Sequence, residues 1–292
     1  MTPKACDTYR TLLTHFGVEG LPLPVSFVKI FKKNEDLPGF ASAHAPVGVT
    51  LTACQAERQA VLGDAVCLTR ENIGCVAAAI SFGLVGQDEE APLSGPRVYT
   101  NIMKDQAPDQ ERFAPPSPAD FQRGTVYACH SEERPDFALF GPEDSGRYKD
   151  IETARKAISD MVCIEPADTR AVLFYNPDLG DEVPVEPDVI VLGVRPVELT
   201  RLVQAWQFMT GERIEASMGG LRVVNSDLIV RPYLTGRINV SSYCLGARLI
   251  AKYGPDRMGM GIPASQFETL AEGMKRSFTG YPFPDYPGAR QC

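Results

Sequence analysis

The residues with the most chemistry in this sequence are its eight cysteines, at positions 6, 54, 67, 75, 129, 163, 244 and 292. Three of them fall where a helix is expected to begin. Thr52-Ala-Cys54-Gln55 fits a capping box, in which the threonine hydroxyl takes a backbone N–H and the glutamine reaches back. Cys54 then lies in the first helical turn. Asn72 is an equally good cap and puts Cys75 at the third helical position, while Ser242 caps a third helix with Cys244 at its second. The positive end of a helix dipole and its free N–H groups favour thiolate, the form that attacks carbon or sulfur and binds iron or zinc. Cys54, Cys75 and Cys244 are therefore the expected ligands of an iron–sulfur cluster or another soft metal. Without a metal, Cys75 is the expected nucleophile.

No Cys-x-x-Cys knuckle is present, so any such site must be assembled by the fold. Cys67 in a strand and Cys163 after a helix read as core, and Cys6 and Cys292 are assigned no role. His130, beside Cys129 at a strand end, is the histidine best placed as ligand or base, because imidazole titrates near neutral pH. His15 and His44 read as a helix-end cation and a loop residue. Arg195 follows the most apolar strand, at the carboxyl end where open α/β sheets bind ligands. Arg248 lies one turn beyond Cys244. Either guanidinium suits a small anionic ligand, and the competing role is a structural ion pair for Arg195 and a surface salt bridge for Arg248. Gly259-x-Gly261-x-x-Ala264 lacks the βαβ unit and acidic residue of a dinucleotide fingerprint, so no nucleotide cofactor is expected. His130-x-Glu132 lacks the Pro-Cys-x-x-Cys of a zinc deaminase.

These residues need elements to hold them. Helices are expected over 2–16, 52–62, 72–83, 151–161, 197–209, 242–253 and 263–274, and strands over 24–31, 65–68, 125–129, 137–140, 170–175 and 188–194. The run Val189-Ile-Val-Leu-Gly-Val194 is apolar on both faces and belongs near a sheet centre. Alternating strands and helices point to one α/β domain over 1–292, with a mixed, partly parallel sheet flanked by helices. No internal repeat is visible in the sequence. Two segments stand apart: 86–124, with six prolines and no periodicity, and the tail 277–292, whose aromatics need a surface to pack on and could join copies into a homo-oligomer.

Composition removes several classes of function. Lys+Arg 29 against Asp+Glu 37 leaves a net charge of −8, and the densest basic run, Lys29 to Lys33, is followed directly by Glu35 and Asp36, so nucleic acid is not expected as a partner. An apolar share of 44% is ordinary globular usage. The longest nearly apolar stretch, Cys75 to Gly86, is about half of the roughly 20 residues a membrane span needs. No membrane segment is expected, and scattered unpaired cysteines fit a reducing cytoplasm.

Several motifs, taken in order along the chain, resemble a known family. They are Pro24-Val-Ser-Phe-Val-Lys, Ala53-Cys-Gln-Ala with Ala60 and Gly63, Asn72-Ile-Gly-Cys75 with Phe82-Gly-Leu84, Pro187-Asp-Val-Ile-Val, Gly246-Ala-Arg248 and Gly259-Met-Gly-Ile-Pro263. Together they resemble the domain-of-unknown-function 169 family, found mainly in anaerobic bacteria and archaea. The resemblance implies a reducing setting for Cys54 and Cys75, which match the family pattern, and carries over no catalytic residue. The expected function is that of an enzyme or enzyme-like protein whose cysteine site binds a soft metal and acts on or senses an anionic small molecule. A metal-free cysteine enzyme and a non-catalytic ligand-binding or assembly protein are the alternatives.

Overall fold

The computed structural model describes residues 3–15, 23–85, 156, 160–220 and 222–278. In chain order these form α1 (Lys4–Thr14), β1 (Val25–Lys32), α2 (Gly39–Ala43), α3 (Ala53–Val61), β2 (Ala65–Thr69), α4 (Val76–Ser81), β3 (Thr169–Tyr175), β4 (Val189–Val194), α5 (Pro196–Thr210), a π-helical segment (Val223–Val230), α6 (Arg231–Thr235), β5 (Asn239–Ser242), α7 (Leu245–Ala251), β6 (Met258–Pro263) and α8 (Ala264–Arg276). The expected segment 86–124, the strands over 125–129 and 137–140, His130, and the tail beyond Phe278 lie outside the described residues.

The six strands make one sheet in the order β2-β3-β1-β4-β6-β5. Apolar side chains on both faces of a strand require cover on both faces of the sheet. In β1, Val25, Phe27 and Phe31 enter one apolar layer while Val28 and Ile30 enter the other. β4 is buried along its whole length and pairs with β1 at the centre, as its sequence requires. The first layer is closed by α1, α5 and α8, with Phe27 edge-on to Tyr9, Tyr175 and Phe267 at centroid distances of 6.3, 5.6 and 6.2 Å. The second is closed by α3, α4, the π-helical segment and α7. Among the described residues no helix is long and apolar enough to cross a membrane.

Every strand pair is antiparallel, which corrects the expectation of a partly parallel sheet. The physical reason lies in strand insertion. β1 and β2 are both antiparallel to β3, so they run in the same direction, as a helix-linked pair should, but β3 is inserted between them. β4 and β5 likewise share a direction, with β6 between them. The sheet is thus two split β-α-β units whose first strands, β1 and β4, meet in the middle. The topology repeats although the sequence shows no repeat.

β6 was not expected as a strand, because its glycines weaken the strand pattern. Those glycines make room for the π-helical segment, all eight residues of which are buried. A Cβ at Gly259 would stand 2.1 Å from Leu228 Cδ1, and one at Gly261 would stand 2.0 Å from the Leu228 carbonyl oxygen. The apparent dinucleotide motif is a packing surface.

Candidate functional site

The expected capping box of α3 is present: the Thr52 hydroxyl accepts from Gln55 N–H at 3.2 Å, and Gln55 Oε1 accepts from Thr52 N–H at 2.9 Å. Cys54 sits in that first turn. The other two caps differ from expectation. Asn72 closes the turn after β2, accepting from Thr69 N–H at 2.8 Å and donating to the Cys67 carbonyl at 3.1 Å. Cys75 itself is then the N-cap residue of α4. Ser242 ends β5, and Cys244 caps α7, its sulfur accepting from Ala247 N–H at 3.5 Å. A short polar residue can close a turn or cap a helix, and here strand pairing decides which. Each split unit therefore ends its outer strand shortly before a cysteine-capped helix.

The fold brings the three thiols to one apolar layer, where Cys54, Cys75 and Cys244 all pack at its border. Burial, then Cys244, Cys75 and Glu57, push the Cys54 thiol well above its ordinary range. Burial also raises Cys75, against the opposing pull of the Ala78 and Ala77 N–H groups and of Arg222. The expectation of depressed, thiolate-rich cysteines is thereby corrected for both: each side chain keeps some exposed surface, but its enclosure costs the anion more than the helix termini return. Cys67 and Cys6 are core residues, pushed by burial to about 12 and about 11.

The sequence reading missed the acid beside Cys54. Glu57 lies one turn after Cys54 on α3, fully buried, and burial raises its carboxyl from 4.5 to about 8. Ser26 on β1 donates to Glu57 Oε1 at 3.4 Å, and Oε2 has no partner among the described residues. Nearby, the Tyr243 hydroxyl is also without a partner and lies over Gly193 of β4, which is paired to Pro24. Tyr243 stacks on Tyr253 at 3.8 Å between centroids, and the Tyr253 hydroxyl is equally unpartnered. Burial, Glu57 and Cys54 raise Tyr243, and Arg257 and Arg248 pull it back. A glutamate at an apolar helix position, as Glu57 is between Ala56 and Ala60, was the available signal.

The two arginines expected to hold a ligand have internal partners. Arg195 pairs with Glu198 at 2.7 Å, and the same buried carboxylate takes Arg257 at 3.0 Å. Arg248 donates to the carbonyls of Tyr243 at 3.1 Å and Arg257 at 2.9 Å, and to that of Gly254, bracing the loop after α7. Among the described residues no group of three or more His, Cys, Asp or Glu is arranged to hold a metal ion.

A profile of the DUF169 family, described as "Uncharacterised ArCR", matches residues 23–273. The chain belongs to this family. That span contains all six strands and the whole thiol–glutamate cluster, so the cluster lies within the part of the chain that the family shares. An uncharacterized protein of Methanocaldococcus jannaschii is 28% identical over 130 residues, or 44% of this chain and 54% of that protein, so the match spans about half the length of the relative. No solved structure matches the chain.

Proposed function

We propose that the DUF169 cluster of Cys54, Cys75, Cys244, Glu57 and Tyr243 binds a small anion and exchanges a proton with it through Glu57. The observation that carries this reading is the buried carboxyl of Glu57, whose Oε2 has no partner among the described residues and which burial raises to about 8. At neutral pH such a carboxyl is protonated, as are the thiols of Cys54 and Cys75 and the phenol of Tyr243, all raised by burial. The site then offers uncharged donors. The fixed charges acting on it are cations, Arg222 on Cys75 and Arg257 and Arg248 on Tyr243. A ligand that satisfies orphan donors and carries negative charge is the natural complement. An acid that titrates close to neutral pH is also the one best able to give a proton and take it back. In that step the Glu57 O–H bond breaks, the ligand gains the proton, and solvent reprotonates the carboxylate.

A soft metal is the second reading, favoured by the way Cys244, Cys75 and Glu57 raise the cost of ionising Cys54, which a cation would relieve. The donor types suit such an ion, but the described residues form no ready cage for it.

Thermal unfolding with acetate, pyruvate or phosphate, on protein purified without oxygen, tests the first reading. At least one anion should stabilise the wild type at pH 7 and lose that effect above pH 8, where Glu57 ionises, whereas Glu57→Gln should keep it at both. No stabilising anion, or an effect with the same pH dependence in both proteins, would overturn it. Stoichiometric metal in the same preparation would replace it with the second reading.

A further inference from the structure

A separate cleft of about 930 Å³ opens beside the outer strand β5. Its apolar wall, with Trp206, Ile214 and Ile238, belongs to the layer on the opposite face of the sheet from the thiols. Its other wall is the segment between α5 and the π-helical segment, held in place rather than loosely draped. Asn239 accepts from Ser217 N–H at 2.9 Å and donates to the Ser217 carbonyl at 3.0 Å, and Asp227 accepts from Gly219 N–H at 2.8 Å.

Three arginines line the cleft, Arg213, Arg231 and Arg237, against two glutamates, Glu212 and Glu215. Arg231 Nε is buried and has no hydrogen-bond partner among the described residues, and Gln266 Oε1 is in the same condition. Asp227, one turn before Arg231, already receives the Ser241 hydroxyl and Gly219 N–H on Oδ2, both at 2.8 Å. Both residues line the cleft, and a buried donor and a buried acceptor without partners are costly unless something completes them.

We infer that this cleft binds a small organic anion, its carboxylate or phosphate on Arg231, a hydrogen-bond donor on Gln266 and a flat apolar part along Trp206. A guanidinium presents a planar fork that matches either acid bidentately, and the volume lies within the range of small-molecule sites. Arg213 and Arg237 are exposed and balanced in charge by Glu212 and Glu215, which leaves Arg231 as the cleft's net positive group.

Trp206 is the chain's single tryptophan and lines this cleft, so its fluorescence is the direct probe of occupation here. Titration with 4-hydroxyphenylacetate and with AMP supplies a carboxylate and a phosphate, each with a flat ring and a donor. 4-Hydroxyphenylacetamide and adenosine are the uncharged controls. We expect a saturable change with at least one anion, binding weaker by about tenfold to a hundredfold in Arg231→Gln, and similarly weaker for its uncharged control. Which anion binds identifies the acid. Should Arg231→Gln lower the melting temperature, Arg231→Lys keeps the charge without the fork and should still lose about tenfold. No saturable change with either anion at millimolar concentration overturns the inference, as does equal affinity in wild type and both variants.

Discussion

Replacing Glu57 by glutamine keeps the shape of the side chain and removes its titration. Burial holds the carboxyl at about 8 in the folded chain against an ordinary 4.5, so between those values the folded state binds more protons than the unfolded state. Stability must therefore fall as pH rises through that window: it is unaffected below 4.5, declines by about 1.36 kcal/mol per pH unit, and levels off above 8. Integrated over the window, the loss is about 5 kcal/mol, a large share of the total stability of an ordinary domain. Glu57→Gln should be close to wild type in urea unfolding at pH 5 and more stable by several kcal/mol at pH 8. Using the difference between the two proteins removes the contribution of other groups, such as Asp227, which burial also raises. If both proteins lose stability in parallel between pH 5 and 8, Glu57 is not held protonated and the acid–base reading of the cluster fails with it.

The thiols should alkylate slowly at pH 7, with Cys75 ahead of Cys54, because the Ala78 and Ala77 N–H groups and Arg222 counter burial at Cys75. Mass spectrometry of a labelling time course reads the order, and Cys54 reacting first would refute it. Gly261→Ala should destabilise by about 2 kcal/mol or more, since its Cβ would meet the Leu228 backbone carbonyl at 2.0 Å. Gly259→Ala should cost less, because its Cβ meets the movable tip of the Leu228 side chain. Equal urea midpoints for the two variants would show that the π-helical segment shifts as a whole.

Local signals were legible where the chemistry is local. The Thr52–Gln55 capping box, the doubly buried run of β4 and proline at the start of α5 depend on residues a few positions apart, and each appears as its sequence requires. The clustering of Cys54, Cys75 and Cys244 was expected from residue type, but what brings them together is long-range: two split units that each set a cysteine at the N-cap of a short helix.

Direction in the sheet, the protonation of the cluster and the second cleft belong to the tertiary structure. A strand inserted from a hundred residues away turns a co-directional pair into antiparallel neighbours, and neither periodicity nor propensity carries that information. Whether a thiol in a capped first turn is ionised depends on the balance between the helix end and the cost of enclosure, and enclosure is set by other elements. Glu57 illustrates the limit. In sequence it is an ordinary helix glutamate; buried against Ser26 and one turn from Cys54 it is a neutral acid. The residue types and their local placement were determined by the sequence alone, while the charge each carries was decided by what the fold packs around it.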